Sequence, residues 1–389
     1  MSRFLIVGAG RQGIAVGYYL AKFYKAQRIV FVDTLFERSL NAVSSLKKML
    51  KGGKNSVNIE NADVEKFYKK ISRFAKNFDV MIGAIPSEYA FPLAFCAAEN
   101  GISYCDYGPN TDTVRAQLGL GDIARKNGVT IIPNNGIGPG LNNIIAVGGS
   151  KEFDCDTVKM FVGGIPEDKN CNPLGYQAAF LNLLDGYVGE TTVLENGKLK
   201  KISLPAGLED FYFSGGMLEA FFTDVGTELT AEFFKKDGRV KNFFEKTLRW
   251  PGHFIFLRQL ECVGLLKKEK CQIDGVSASP FSVTKHCFDN MQRVEKDVLI
   301  FCVFFEKEFT QKALVKMVVR YDPDTGFTAM QKATSANTAI IAWLLAEKKI
   351  PSGAYLPEDI INKMYGWRFI VSELWSMGFT IKIEETPSR

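Results

Sequence analysis

At 389 residues the chain is too long for one ordinary hydrophobic core and calls for two domains. Its 46% hydrophobic and 23% charged residues exclude disorder, and the absence of any run of about eighteen apolar residues argues against a membrane span. The net charge of +5 is interspersed along the chain, not gathered into the basic face that nucleic acid requires.

The first part alternates short apolar strands with amphipathic helices. Phe4–Val7 reads as a buried strand, Gln12–Tyr24 as a helix, Ile29–Val32 as a second strand and Glu37–Leu50 as a helix ended by Gly52-Gly53. A short third strand and a helix over Val64–Phe74 follow. Then come strand Asp79–Ala84, a helix after Pro86, strand Ile102–Cys105, helix Leu118–Lys126 and strand Val129–Ile132. Such alternation specifies a parallel sheet covered on both faces. The pattern changes at the glycine-rich turn Asn134–Gly140, the expected domain boundary. Beyond it lie β-rich segments, Thr157–Ile165, Val298–Glu306 and Ala313–Tyr321, the last two joined as a hairpin across Lys307–Gln311. This half reads as α+β with an open, mainly antiparallel sheet. From Thr334 onward the chain is helical again, with Ala339–Leu345 an apolar helix and Pro357–Met377 another, and the tail Glu384–Arg389 is expected to fray. No internal repeat appears.

Eight cysteines stand at 96, 105, 155, 171, 262, 271, 287 and 302, with no CxxC and no zinc-ribbon spacing. Reduced, mostly buried thiols in a cytoplasmic protein without a metal are expected. Phe4–Val7 is too short for the apolar core of a signal peptide.

Gly8-Ala9-Gly10-Arg11-Gln12-Gly13 matches G-x-G-x-x-G directly after a strand and before a helix. Gly8 permits the turn, Gly10 lets backbone approach a pyrophosphate, and Gly13 lets helix pack on strand. Arg11 and Gln12 begin the helix whose N-terminus faces that anion. Asp33, at the end of the second strand, is placed to accept the two ribose hydroxyls. An S-adenosylmethionine-binding domain also has a glycine turn and a strand-end acid, but the second glycine pair favours a dinucleotide. The Asp33 carboxylate favours NAD by repelling a 2′-phosphate; Arg38 argues the other way and keeps NADP open. Ala84, Ile85 and Pro86 leave a strand at its carboxyl end, where ligands bind in open α/β sheets; an ordinary Pro-initiated helix is the alternative. Asp63 either meets the adenine edge or caps a helix.

Several segments resemble the saccharopine dehydrogenase-like family: VGAGRQG at 7–13, GAIP at 83–86, IPNNGIGPGLNNIIA at 132–146, GGIP at 163–166, TLRWPGH at 247–253 and ATSANTAIIAWLLAE at 333–347. GGIP, NGK at 196–198 and TLRWPGH most resemble its single-chain lysine 6-dehydrogenases. The resemblance implies a Rossmann domain of 1–137 and 334–389 with a substrate and dimerisation domain inserted at 138–333, hence a homodimer. It also implies an NAD(P)-dependent amino-acid dehydrogenase. One departure bears on lysine itself: Phe180-Leu181-Asn182 before Gly186-Tyr187 replaces the Ser-Pro-Arg-like segment and Glu-Tyr pair of that group.

Oxidising an amine at carbon requires a deprotonated nitrogen, and a lysine side chain has an unperturbed pKa of about 10.4. Of the two histidines, His253 follows a Pro-Gly turn and is the candidate general base or proton relay, a structural hydrogen-bonding role being the alternative. His286 reads as a surface or packing residue. Asp106, at the end of a strand, either orients the substrate ammonium and takes its proton or caps the Tyr107-Gly108-Pro109 turn. Arg249 suits bidentate pairing with a substrate carboxylate. Asn142 and Asn143 stand where nicotinamide and substrate are expected to meet, Asn142 alternatively capping the next helix, and Tyr187 belongs with the substrate residues. Tyr18 and Lys22 form a Tyr-x-x-x-Lys pair on the first helix, which is attributed to chance.

The leading expectation is NAD-linked oxidation of a basic amino acid, L-lysine first, to a semialdehyde or cyclic imine. Saccharopine dehydrogenase proper is the alternative; it needs cations for three carboxylates, and Lys285, Arg293 and Lys316 are available. A dinucleotide-binding protein without turnover is the third reading.

Overall fold

The computed structural model describes residues 2–50, 58–63, 77–108, 110–169, 176–177, 183–213, 216–224, 226–290 and 293–386. In chain order the first part runs β1 (Arg3–Val7), α1 (Arg11–Phe23), β2 (Arg28–Asp33), α2 (Phe36–Met49), β3 (Asn58–Asp63) and β4 (Val80–Gly83). It continues with α3 (Ala90–Glu99), β5 (Ser103–Asp106), α4 (Thr111–Leu118), α5 (Gly121–Lys126), β6 (Thr130–Ile132) and α6 (Leu141–Glu152). The middle holds β7 (Thr157–Pro166), β8 (Tyr176–Gln177), β9 (Glu190–Glu195), β10 (Lys198–Ser203), β11 (Ala206–Phe213), β12 (Gly216–Phe222), α7 (Glu228–Asp237) and β13 (Asn242–Arg249). Then follow α8 (His253–Cys262), β14 (Cys271–Ile273), β15 (Val276–Ala278), α9 (Pro280–Asp289), β16 (Arg293–Val294), β17 (Asp297–Lys307) and β18 (Thr310–Arg320). The last part is α10 (Ala329–Ala346), β19 (Gly353–Ala354), α11 (Pro357–Met364), α12 (Trp367–Ser376) and β20 (Ile381–Glu385).

Two compact units form, Met1–Gly149 with Gln331–Thr380 and Ser150–Met330 with Ile381–Arg389. In the first, a seven-stranded sheet has the order β19-β6-β5-β4-β1-β2-β3, parallel throughout. Its central strands are apolar on both faces because helices cover both: Phe4, Leu5 and Ile6 of β1 and Ile29, Phe31 and Val32 of β2 are buried. Order reverses between β1 and β4, which puts the ligand crevice at the carboxyl ends of those strands.

The second unit is built on a nine-stranded sheet, β10-β9-β13-β7-β17-β18-β20, with β12 also on β13 and β11 on β12. All pairs are antiparallel except β13 with β7. Phe161, Leu248, Ile300 and Cys302 of the central strands join Leu218 and Ala220 in its core.

Several expectations are corrected. Leu118–Lys126 is divided at Gly119 into α4 and α5, and Asn110 caps α4 by accepting from Thr113 N at 3.0 Å. Pro357–Met377 is two helices, because Gly366 takes a left-handed φ of 75° between them. Helix α10 starts five residues before Thr334, at Ala329; its earlier turns carry buried polar residues that hide the apolar period. The tail does not fray at Glu384 and Glu385, which pair with Leu314 and Ala313 of β18. Strands β9 to β12 were not expected: their exposed faces are charged, as in Lys198-Leu199-Lys200-Lys201. The hairpin link shrinks to Glu308-Phe309, both left-handed at φ 50° and 63° as a two-residue turn demands. Among the described residues seven cysteines are free, but only Cys105, Cys155 and Cys302 are buried; Cys262, Cys271 and Cys287 are exposed. The expected helix Val64–Phe74 lies outside the described residues. No helix among the described residues is long and apolar enough to cross a membrane.

Candidate active site

The glycine turn lies between β1 and α1. Gly8 has φ 102°, and a Cβ there would stand 2.1 Å from the Ala84 carbonyl oxygen; a Cβ on Gly13 would stand 2.0 Å from that of Gly8. Both glycines are therefore required by the fold itself. Gly10 is different. Its φ of −80° suits any residue, and a Cβ would meet nothing within 4 Å. Neither backbone nor packing asks for glycine at 10, so open access to the N-terminus of α1 is the remaining reason, and that end has no side-chain cap. A pyrophosphate fits this cradle.

Asp33 ends β2 and braces the turn. One carboxylate oxygen accepts from Ala9 N at 2.9 Å and the other from Leu35 N at 2.9 Å. The side chain stays half-buried at the rim, where its remaining lone pairs can take ribose hydroxyls. Asp63 lies beside Asp33 in register at the end of β3; its side chain lies outside the described residues. Ala84 N donates to Val7 O at 2.8 Å, which holds Ala84-Ile85-Pro86 against Gly8. Arg11 and Gln12 begin α1 with their carbonyls bonded from α10 and the loop after β5: Gln331 Nε2 donates to Arg11 O at 3.1 Å and Tyr107 Oη to Gln12 O at 3.0 Å. Ser335 Oγ donates to Gln12 Oε1 at 2.7 Å.

Asp106 ends β5, only 3% exposed. Its Oδ1 accepts from Gly108 N at 3.1 Å and Asn134 N at 3.2 Å, and its Oδ2 from Gln117 Nε2 at 2.7 Å. Burial pushes its carboxyl above the usual range, while these donors pull it back. The carboxylate thus pins the loops after β5 and β6 together, the capping alternative extended to a second loop. Asn142 and Asn143 are also buried and engaged locally: Asn142 Oδ1 accepts from Asn143 N at 2.8 Å, and Asn143 Oδ1 from Gly140 N at 2.9 Å.

In the second unit, Tyr187, Arg249 and His253 come together. Arg249 ends β13 with its Nε donating to Tyr187 Oη at 2.9 Å and Nη1 to Leu248 O at 2.9 Å and Gly164 O at 3.4 Å. Its Nη2 has no hydrogen bond among the described residues. The GGIP segment is explained here. A Cβ on Gly163 would stand 2.4 Å from Leu248 O, so glycine lets β7 approach β13 closely; Pro166 O then receives Trp250 Nε1 at 2.9 Å. His253 is the first residue of α8, with its ring 5.3 Å from that of Tyr187 and 6.1 Å from that of Phe221. All three residues are buried. Burial raises the Tyr187 phenol, and the Arg249 charge lowers it. Glu219 brackets the histidine, accepting from Gly252 N at 2.8 Å and Phe254 N at 2.9 Å. Glu219 carried no signal in the sequence, lying on an unrecognised strand. His286 is exposed beside Asn290. Lys22 Nζ lies 2.6 Å from Tyr18 Oη, one helical turn away on α1 and apart from both groups described. Phe180-Leu181-Asn182 lie outside the described residues.

A parallel sheet of this order with glycine turn, strand-end acid and open helix N-terminus defines an NAD(P)-dependent oxidoreductase. A model of the saccharopine dehydrogenase NADP binding domain matches residues 4–132, and one of the saccharopine dehydrogenase C-terminal domain matches 136–379. The chain belongs to the saccharopine dehydrogenase family. Among solved structures, apo histidine-tagged saccharopine dehydrogenase (L-Glu forming) from Saccharomyces cerevisiae is 15% identical over 100% of both chains, with a TM-score of 0.76, and shares the fold. Amine dehydrogenase from Mycobacterium smegmatis is 13% identical over 92% of this chain and 95% of that one, with a TM-score of 0.43.

Proposed function

We propose that this chain oxidises the CH–NH2 carbon of a basic amino acid, L-lysine at its side-chain amine being the first candidate, with NAD preferred as acceptor. The nicotinamide, when bound, accepts the hydride. The observation that carries the reading is the Tyr187–Arg249–His253 cluster. A buried guanidinium held at Nε and Nη1 but not at Nη2 suits one carboxylate of a small substrate. The substrate ammonium must lose a proton before hydride leaves, and His253 is assigned as base or relay. Asp106, with its carboxylate engaged on three sides, is assigned to positioning the β5 and β6 loops. Asp33 supports NAD over NADP, because a carboxylate repels a 2′-phosphate.

The alternative, a secondary amine carrying three carboxylates, needs more free cations. Lys285 is paired with Asp185 at 2.9 Å and Lys316 with Glu384 at 2.6 Å, and the Arg293 side chain lies outside the described residues. The test is reduction of NAD and of NADP by lysine, ornithine, diaminopimelate and saccharopine at alkaline pH. Turnover with a free basic amino acid is expected. Turnover with saccharopine alone transfers the reading to the secondary amine, and NADH binding without turnover on any of them leaves the dinucleotide-binding protein. A homodimer comes with the family resemblance, and the molecular mass in solution, read by sedimentation equilibrium, tests it.

A further inference from the structure

We propose that the side-chain amide of Asn134 binds the carboxamide of the nicotinamide ring. With the pyrophosphate on the N-terminus of α1 and the adenosine half directed to Asp33 on β2, the nicotinamide half extends the other way, over the ends of β4, β5 and β6. After β5 and β6 the buried polar side chains are mostly committed. Asp106 holds Gly108, Gln117 and the Asn134 backbone, and Tyr107 Oη bonds to Gln12 O. Asn135 Nδ2 donates to Ile132 O at 2.6 Å and Asp106 O at 3.1 Å.

Asn134 differs from these buried neighbours. It is 4% exposed, with its backbone fixed in the left-handed region at φ 62° and its N–H held by Asp106. One end of its amide is sealed: Oδ1 stands where a Cβ on Gly108 would come within 2.9 Å, and it has no hydrogen-bond partner. The other end, Nδ2, makes no hydrogen bond among the described residues and is not one of the sealed atoms. The loop beneath cannot yield, since Asn337 Nδ2 and Thr338 Oγ1 both bond to Asn135 O, at 3.0 and 2.8 Å.

A buried primary amide with one end open matches a primary carboxamide. The carboxamide offers an oxygen to Nδ2, and an NH2 to the oxygen if the two ends of Asn134 are exchanged. Fixing the carboxamide fixes which way round the ring lies, and so which face it turns to the substrate.

Asn134→Gly keeps the left-handed backbone and removes the amide. NADH affinity is expected to fall about tenfold while affinity for ADP-ribose, which lacks the nicotinamide, stays within about twofold. Asn134→Asp keeps shape and backbone and exchanges the donor for a negative charge, so NAD+ is expected to gain on NADH by several-fold. Both are read by calorimetry without substrate. Equal losses of NADH and ADP-ribose in Asn134→Gly, or no loss of either, overturn the proposal; should that variant not fold, an unchanged NAD+ to NADH ratio in Asn134→Asp does so.

Discussion

The rim of the first unit and the cluster of the second are built from different material. The rim is mostly backbone: glycine turns, the uncapped start of α1, and carboxylates such as Asp33 and Asp106 used to pin loops. The cluster is side chain: a phenol, a guanidinium and an imidazole from segments 62 residues apart in the case of Tyr187 and Arg249. Backbone recognises what every dinucleotide shares, a pyrophosphate. Side chains distinguish one small acid from another, and each is separately replaceable. Substrate identity should therefore change by substitution in the cluster with cofactor binding untouched.

The largest effect tests that separation. Arg249→Lys keeps a charge but removes the planar fork, and Arg249→Ala leaves Tyr187 Oη and two carbonyls without their donor. Catalytic efficiency on the amino-acid substrate is expected to fall at least a hundredfold in Arg249→Ala, about 3 kcal/mol or more, with NADH affinity unchanged. Steady-state kinetics beside NADH titration reads both. A parallel loss of NADH binding would break the comparison.

Each region carries a buried carboxylate, but Asp106 at the rim is held by three donors, whereas burial dominates at a residue close to the cluster. Glu245 lies two alternations before Arg249 on β13 and is fully buried, which pushes its carboxyl up to about 8. The folded state therefore holds a proton that the unfolded state, near 4.5, has released. The contribution of Glu245 to stability is fully present below pH 4.5 and is lost as pH rises from there through 8. Glu245→Gln should remove that slope, stabilising by about 4 kcal/mol at pH 8 and by less than about 1 kcal/mol at pH 5. Urea unfolding at the two pH values decides it; equal effects at both would mean that burial is not the cause.

The same contrast explains what was legible. Gly8, Gly10, Gly13 and Asp33 were readable because the βαβ unit keeps them close in sequence and each answers a local demand of a turn or strand end. The cluster depends on the close approach of β7 to β13 at Gly163 and on a turn before β9, and neither is periodic. Its members were named one at a time, Arg249 and His253 through one short motif, Tyr187 through a family resemblance. Asn134 carries no signal beyond the boundary turn, because nothing in a sequence separates a committed asparagine from an open one.

Within the rim, glycines that the fold requires can be separated from the one that access requires. Gly13→Ala forces a Cβ against Gly8 O and should destabilise by about 1–3 kcal/mol and abolish tight NADH binding together. Gly10→Ala should leave the melting temperature within a degree or so while weakening NADH about tenfold, since its Cβ meets only space that the pyrophosphate needs. Thermal melts with NADH titrations give both numbers, and a melting loss in Gly10→Ala would show that packing, not access, accounts for the glycine.

The smallest effect concerns the side chain proposed above to favour NAD over NADP. Asp33 holds Ala9 N and Leu35 N with separate oxygens, and an asparagine there can accept only one of them while its NH2 faces the other. Asp33→Asn thus loosens the turn slightly for both cofactors, but it removes negative charge only where a 2′-phosphate would sit. NAD affinity should fall a few-fold and NADP affinity should rise, moving the ratio about tenfold toward NADP, or about 1.4 kcal/mol. Arg38 is retained in the variant, so a ratio that already favours NADP in the unaltered chain would assign the choice to the arginine and leave Asp33 as a brace of the glycine turn alone.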